Sequence, residues 1–156
     1  TIDFGLRIHV VVRETEQEAR EYAKKLTSKL DEEKAATIRS RGEDSRSLGV
    51  LRQDQLRMEA NDEGYVEDIL WTDIGKVFSG CGTGLVGSPR QIIDKLNRYI
   101  DMGFRAFIFS GFPLEREAEY FSKLVLPHLP NVSLSDKQNR MPKTTPITPY
   151  TTAKLR

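Results

Sequence analysis

The sequence predicts an α/β fold built on parallel strands, and three stretches carry that expectation. Phe4, Leu6, Ile8, Val10 and Val12 alternate with Gly5, Arg7, His9 and Val11, the period of a strand with one apolar face, and a helix signal follows at once. Gly84-Leu85-Val86-Gly87, a helix signal and Ala106 to Phe109 then compose a second strand-helix-strand unit. Ala106 to Phe109 is a continuous apolar run, the form expected of a strand buried on both faces.

Taken in order, the first helix starts at a capping box, Thr15 with Glu18, and its apolar stripe is Ala19, Tyr22, Ala23, Leu26 and Leu30. Residues 31 to about 78 are rich in charge, with five arginines between Arg39 and Arg57 and few apolar positions, among them Ile38, Leu48, Leu51 and Leu56. A weakly apolar segment of that length inside a compact unit reads as an insertion, with short helix in places, rather than a plain connector. After Gly84 to Gly87, Ser88 serves as N-cap and Pro89 occupies the first helical position. That helix buries Ile92, Ile93, Leu96, Tyr99 and Ile100, and Gly103 ends it in a left-handed turn. The loop Ser110-Gly111-Phe112-Pro113 leads to a last amphipathic helix with Ala118, Phe121, Leu124, Val125 and Leu129, closed by Pro127 to Pro130. Beyond residue 133 the chain turns to Ser, Thr, Pro and Lys, with five basic residues against one acidic from Asp136 on, a composition expected to be disordered.

Composition narrows the function. The chain has 156 residues and 38% hydrophobic content, enough for one domain core. Its 24 Lys and Arg balance 23 Asp and Glu, so no global field draws it to nucleic acid or to an acidic membrane. One cysteine, Cys81, gives neither an intrachain disulfide framework nor a multi-cysteine metal site. No apolar run approaches the ~20 residues of a membrane helix, no secretory leader is recognisable, and a reducing cytoplasm is the expected location.

Among candidate chemical features, Gly82-x-Gly84-x-x-Gly87 has the letters of a dinucleotide fingerprint, but Val77-Phe78 is a poor candidate for the strand that must precede it. Residues 79 to 84 read better as a hinge or loop. His9 and His128 are the two histidines; His128 lies in Pro-His-Leu-Pro at a helix end, so His9 is the better candidate for proton transfer. Without HExxH, a carboxylate-histidine cluster or a Gly-x-Ser-x-Gly elbow, metal and hydrolase chemistry have no support. Arg7 and His9 share a face of the first strand; that face either lines a barrel interior or lies open to solvent at a sheet edge.

Phe4-Gly5-Leu6-Arg7-Ile8-His9-Val10-Val11-Val12-Arg13-Glu14-Thr15 resembles a strand of the flavin-dependent alkanesulfonate monooxygenases of the bacterial-luciferase-like family. Leu70-Trp71, Gly82 to Gly87 with the Ser88-Pro89 helix, Ser110 to Glu115, and Leu126-Pro127-His128-Leu129 continue that likeness in order over most of residues 4 to 130. The resemblance implies the C-terminal part of a (β/α)8 TIM barrel over residues 1–133, with 31–82 as a lid-type insertion and 134–156 as a flexible tail. Three strands are too few to close such a barrel, which needs ~250 residues, so a larger whole is expected.

By the same resemblance the reaction uses reduced FMN, delivered by a separate NAD(P)H-dependent flavin reductase, and O2 to oxygenate a small organosulfur substrate. From an alkanesulfonate it gives an aldehyde and sulfite. Arg7 and His9 match the family's arginine and histidine on this strand: a guanidinium that stays charged for anion stabilisation and possible proton transfer, and an imidazole for orientation or proton shuttling. Phe78, Ser110 and Phe112 fall at substrate-binding positions, Phe78 where those enzymes carry a lid arginine and Phe112 where they carry a tyrosine. Both replacements remove hydrogen-bond donors, which suits a sulfone as second substrate class unless lid arginines such as Arg46 and Arg52 compensate. The flavin phosphate site falls largely in the missing N-terminal half of the barrel. A homo-oligomer is expected. The competing readings are a non-catalytic, truncated luciferase-like protein and an interaction module working through the basic tail.

Overall fold

The computed structural model describes residues 4–29, 48–77, 82–132 and 134–139. The elements in chain order are β1 (Phe4–Val12), α1 (Glu16–Thr27), α2 (Leu48–Glu59), β2 (Leu70–Trp71), α3 (Ile74–Val77), β3 (Gly84–Gly87), α4 (Pro89–Asp101), β4 (Phe104–Ser110), α5 (Leu114–Leu124), a 3-10 turn (Leu126–His128) and α6 (Leu134–Lys137). They form a mixed α/β unit on a largely parallel sheet.

The helices end where the sequence signals lie. At α1, Thr15 Oγ1 accepts from the Glu18 amide and Glu18 Oε2 from the Thr15 amide, each at 3.2 Å. Gly103, with φ +102°, ends α4 in the left-handed region, where a side chain would be strained.

The sheet order is β2-β3-β1-β4, with β1 parallel to both β3 and β4 and β2 antiparallel to β3. This is an open sheet with β1 in its middle. A barrel traced in chain order would instead seat β3 between β1 and β4; here β4 takes the side of β1 that β3 leaves open.

The alternation of β1 sorts its side chains onto two cores. Ile8, Val10 and Val12 pack with Leu85, Ile92, Leu96 and Val125 under α4 and α5. Val11 faces the other way, with Val86, Ala19, Ala23, Tyr65, Trp71 and Ile74. Residues 65–74 of the expected insertion are thus built into the core, because β2 presents Trp71 to one layer and its flanking Ile69 to the other. α2, with no buried residue, is the part that fits an excursion. Residues 31–47, including Ile38 and Arg46, lie outside the described residues, as do Leu30, Cys81 and the tail from 140 on.

Two sequence expectations need correction. The run Ala106 to Phe109 is not buried on both faces: Phe107 and Phe109 turn inward, whereas Ala106 is exposed and Ile108 is 64% exposed. β4 is the edge of this sheet, and no described helix covers its second face. Its inner face carries a ladder of rings, Phe107 on Phe109 at 5.6 Å and Phe109 on Phe121 at 4.6 Å between centroids. On α5 the inward position is Glu117, while Ala118 is exposed and lines a shallow cleft with Phe109, Leu114 and Leu126. The apolar stripe misses Glu117 because a carboxylate is buried only where a cation meets it.

Leu96→Ala removes a fully buried side chain from the larger core, and is expected to cost roughly 2–5 kcal/mol in urea unfolding. Met102→Ala, at an exposed position, serves as the near-neutral control.

Candidate active site

The parallel pairing of β1 and β4 brings the sequence candidates together. Arg7 lies opposite Ile108 and His9 opposite Ser110, so Arg7, His9, Ile108 and Ser110 share the face that α4 and α5 do not cover. Arg7 is exposed on that face, and His9, two residues on, is 5% exposed. Ser110 ends β4, so the site forms at the carboxyl end of that strand, the position parallel α/β folds use.

His9 is fixed from several sides. Its backbone N–H donates to Thr83 O at 3.2 Å, and Gly84 lies opposite it on β3. A Cβ at Gly84 would stand 3.4 Å from His9 Cβ and 3.7 Å from Trp71 Cε3, so the glycine lets strand, imidazole and indole close up. His9 Nδ1 and Ser110 Oγ are 3.0 Å apart, and the Phe112 ring lies 5.5 Å from the imidazole, tilted by 39°. Burial pushes the His9 pKa below its ordinary value, the hydrogen bond to the Ser110 backbone opposes this, and the Arg7 charge adds to the lowering. The imidazole is thereby held toward its neutral form, able to accept a proton.

Behind this group sits a charged clamp that the sequence does not announce. Arg13, the residue after β1, meets Glu117 of α5 with Nη2 to Oε1 at 2.6 Å and Nη1 to Oε2 at 3.0 Å. Arg13 Nη1 also donates to Val12 O at 2.7 Å. Its guanidinium lies 3.9 Å from the ring centroid of Tyr22 and 4.5 Å from that of Tyr120. Tyr22 in turn donates to the Phe112 carbonyl at 2.9 Å. Gly111 is pressed into the same place, for a Cβ there would lie 2.5 Å from Glu117 Cβ and 3.1 Å from Val10 O. Arg13 and Glu117 are 104 residues apart, and no spacing rule joins them; Tyr22 is legible in the sequence only as a member of the α1 stripe.

Phe78 lies outside the described residues. His128 is exposed in the 3-10 turn, away from His9 in the sheet. The glycine motif is no dinucleotide fingerprint, since its strand, β3, begins at the second glycine and a short helix, α3, ends at Val77 before it. At the N-terminus of α4 the capping groups are engaged within the protein. Ser88 N and Oγ both donate to Gln91 Oε1, at 3.0 and 2.8 Å, and Gln91 Nε2 donates to Glu16 at 2.7 Å. The described residues thus offer, toward the reacting end of a flavin, a cation and an imidazole held toward its neutral form. Among them no group of three His, Cys, Asp or Glu gathers to hold a metal, and no helix is long and apolar enough to cross a membrane.

Residues 1–106 match the luciferase-like monooxygenase family, and the chain belongs to that family. It is similar to the sulfoquinovose monooxygenase of Agrobacterium fabrum, 54% identical over 149 residues, which are 96% of this chain and 39% of that protein. It is likewise similar to the sulfoquinovose monooxygenase of Novosphingobium aromaticivorans, 51% identical over 129 residues, 83% of this chain and 36% of that protein. The chain thus spans under two-fifths of the length of these relatives.

Two measurements check this geometry. Glu117→Ala leaves a buried guanidinium without its counterion and is expected to cost roughly 3–5 kcal/mol in urea unfolding. His9 binds its proton more weakly folded than unfolded, so the unfolded chain holds more protons below the ordinary value of 6.5. Stability should therefore fall as pH drops from 6.5 through the lowered native value, and His9→Gln should flatten that part of the curve.

Proposed function

We propose that this chain belongs to a reduced-flavin-dependent monooxygenase that cleaves the carbon–sulfur bond of a sulfonate, with sulfoquinovose, a sugar bearing a sulfonate on its terminal carbon, as substrate. The carrying observation is that exposed Arg7 and buried His9 share one face of β1, opposite Ile108 and Ser110 of β4. High identity to two relatives named for sulfoquinovose supports the substrate. Those names also favour a sulfonate over the sulfone alternative, despite Phe112 at a position where a phenol would have supplied a donor. An alkanesulfonate is the second sulfonate reading, resting on the motif around Arg7 and His9.

In this reading the overall change is R-CH2-SO3⁻ + O2 + reduced FMN → R-CHO + SO3²⁻ + FMN + H2O + H⁺. Bound reduced FMN supplies the two electrons that activate oxygen, and a separate NAD(P)H-dependent reductase supplies the flavin. Arg7 keeps its charge at any working pH and pairs with the anionic sulfonate, or with negative charge developing near the carbon–sulfur bond. His9, held toward its neutral form, takes up the proton released when the substrate carbon becomes an aldehyde. Phe112 shields the imidazole from water, and Ser110 orients it. The barrel, the lid over residues 31–82, the flavin phosphate seat, the homo-oligomer and the cytoplasmic setting belong to the same proposal for the whole protein.

The test is turnover of the full-length protein with reduced FMN and sulfoquinovose, read as sulfite. Arg7→Ala is expected to abolish sulfite release while flavin binding stays within about twofold, and Arg7→Lys to restore part of it as a point charge without the planar fork. Unchanged sulfite release in Arg7→Ala would remove Arg7 from the reaction.

A further inference from the structure

We infer that Tyr22 of α1 is a positioning residue for His9, its hydroxyl anchoring the Phe112 carbonyl so that the Phe112 ring stays against the imidazole. The inference rests on the proposed role of His9, but its geometry stands separately.

Phe112 sits in the three-residue connection between β4 and α5. Two contacts fix its backbone from opposite ends. Gly111, just before it, is wedged against Glu117 and Val10 O, and the Phe112 carbonyl accepts from Tyr22 at 2.9 Å. Tyr22 is itself immobilised: its ring lies under the Arg13 guanidinium at 3.9 Å, and Arg13 is held by Glu117. The hydroxyl is thus aimed by a ring that is stacked on a paired guanidinium, and it ties the loop at the Phe112 carbonyl. Among the described residues, Arg7 of β1 is the charge that acts on His9, while Ser110 of β4 and, at the start of β3, Thr83 and Gly84, which also meet it, are not ionisable. The charge of Arg13 is matched by Glu117. Exclusion of water by Phe112 is therefore a lever on the imidazole that a change in Tyr22 can move without touching a charge.

Tyr22→Phe isolates the anchor, because it keeps the ring under Arg13 and removes the hydroxyl alone. The full-length protein with labelled histidines, and His9→Gln to assign the signal, allows His9 to be titrated by NMR. Tyr22→Phe is expected to raise the His9 pKa by about 0.5 unit toward the ordinary imidazole value and to weaken the cross-peak between the His9 and Phe112 rings. A purely structural Tyr22 would leave both unchanged in a variant with a native amide spectrum, and that result overturns the inference. Phe112→Leu provides a second route should Tyr22→Phe fail to fold: an unmoved His9 there overturns the inference, because the ring that Tyr22 would hold in place then has no effect on the imidazole. The acid limb of kcat/KM for sulfite release should rise by the same amount. If His9 moves while that limb does not, Tyr22 still positions His9, and what fails is the proposed use of His9 in the reaction.

Discussion

The constraint on which the site depends is the burial of one charge pair, Arg13 with Glu117, at the end of the central strand. Two desolvated ions hold together only when geometry and hydrogen bonding are nearly complete. Here the guanidinium is satisfied by a bidentate carboxylate and the Val12 carbonyl, and roofed by two tyrosine rings. The clamp locks α5 and the end of β1 in fixed relation, with Tyr22 of α1 stacked on it. The loop that carries Phe112 is tied to that junction by the Tyr22 hydroxyl, so a salt bridge and an aromatic ring near His9 share one tyrosine.

The two polar residues of the site are treated oppositely by the same strand. Arg7 stands where β1 pairs with the edge strand and is exposed there, opposite Ile108. His9, two residues on, is packed between Ser110, Phe112 and the close backbone of Gly84, and its charged form is disfavoured. A guanidinium that keeps its charge thus stands beside an imidazole held toward its neutral form. One sheet face supplies both because helix cover stops partway along it.

Much of this was legible in the residues. The limits of β1, the capping box of α1 and the Pro89 start and Gly103 stop of α4 are local signals, and they survive folding because each is satisfied within a turn of chain. The β1 motif carries a resemblance to the luciferase-like family, to which the chain belongs, and its alternation sets Arg7 and His9 on one face. What was not legible depends on neighbours distant in sequence. The exposure of Ile108 follows from β4 lying at an edge, the inward turn of Glu117 follows from Arg13, and the inclusion of Ile69 and Trp71 in the core follows from an antiparallel partner that two residues of strand cannot announce. The order of the strands is of the same kind, since apolar alternation says which face is buried but not which strand lies beside it.

The crowding at Gly111 bears on how this site can diversify. Any side chain there would have to displace the backbone of β1 or the stem of Glu117, so drift at that position is closed while the clamp persists. Phe112, one residue later and half-buried, is held through its carbonyl by Tyr22, a contact that does not depend on which side chain residue 112 carries. A lineage, or a directed-evolution library, seeking new substrates should therefore find its freedom at residue 112 and a wall at residue 111, although the two are joined by a single peptide bond.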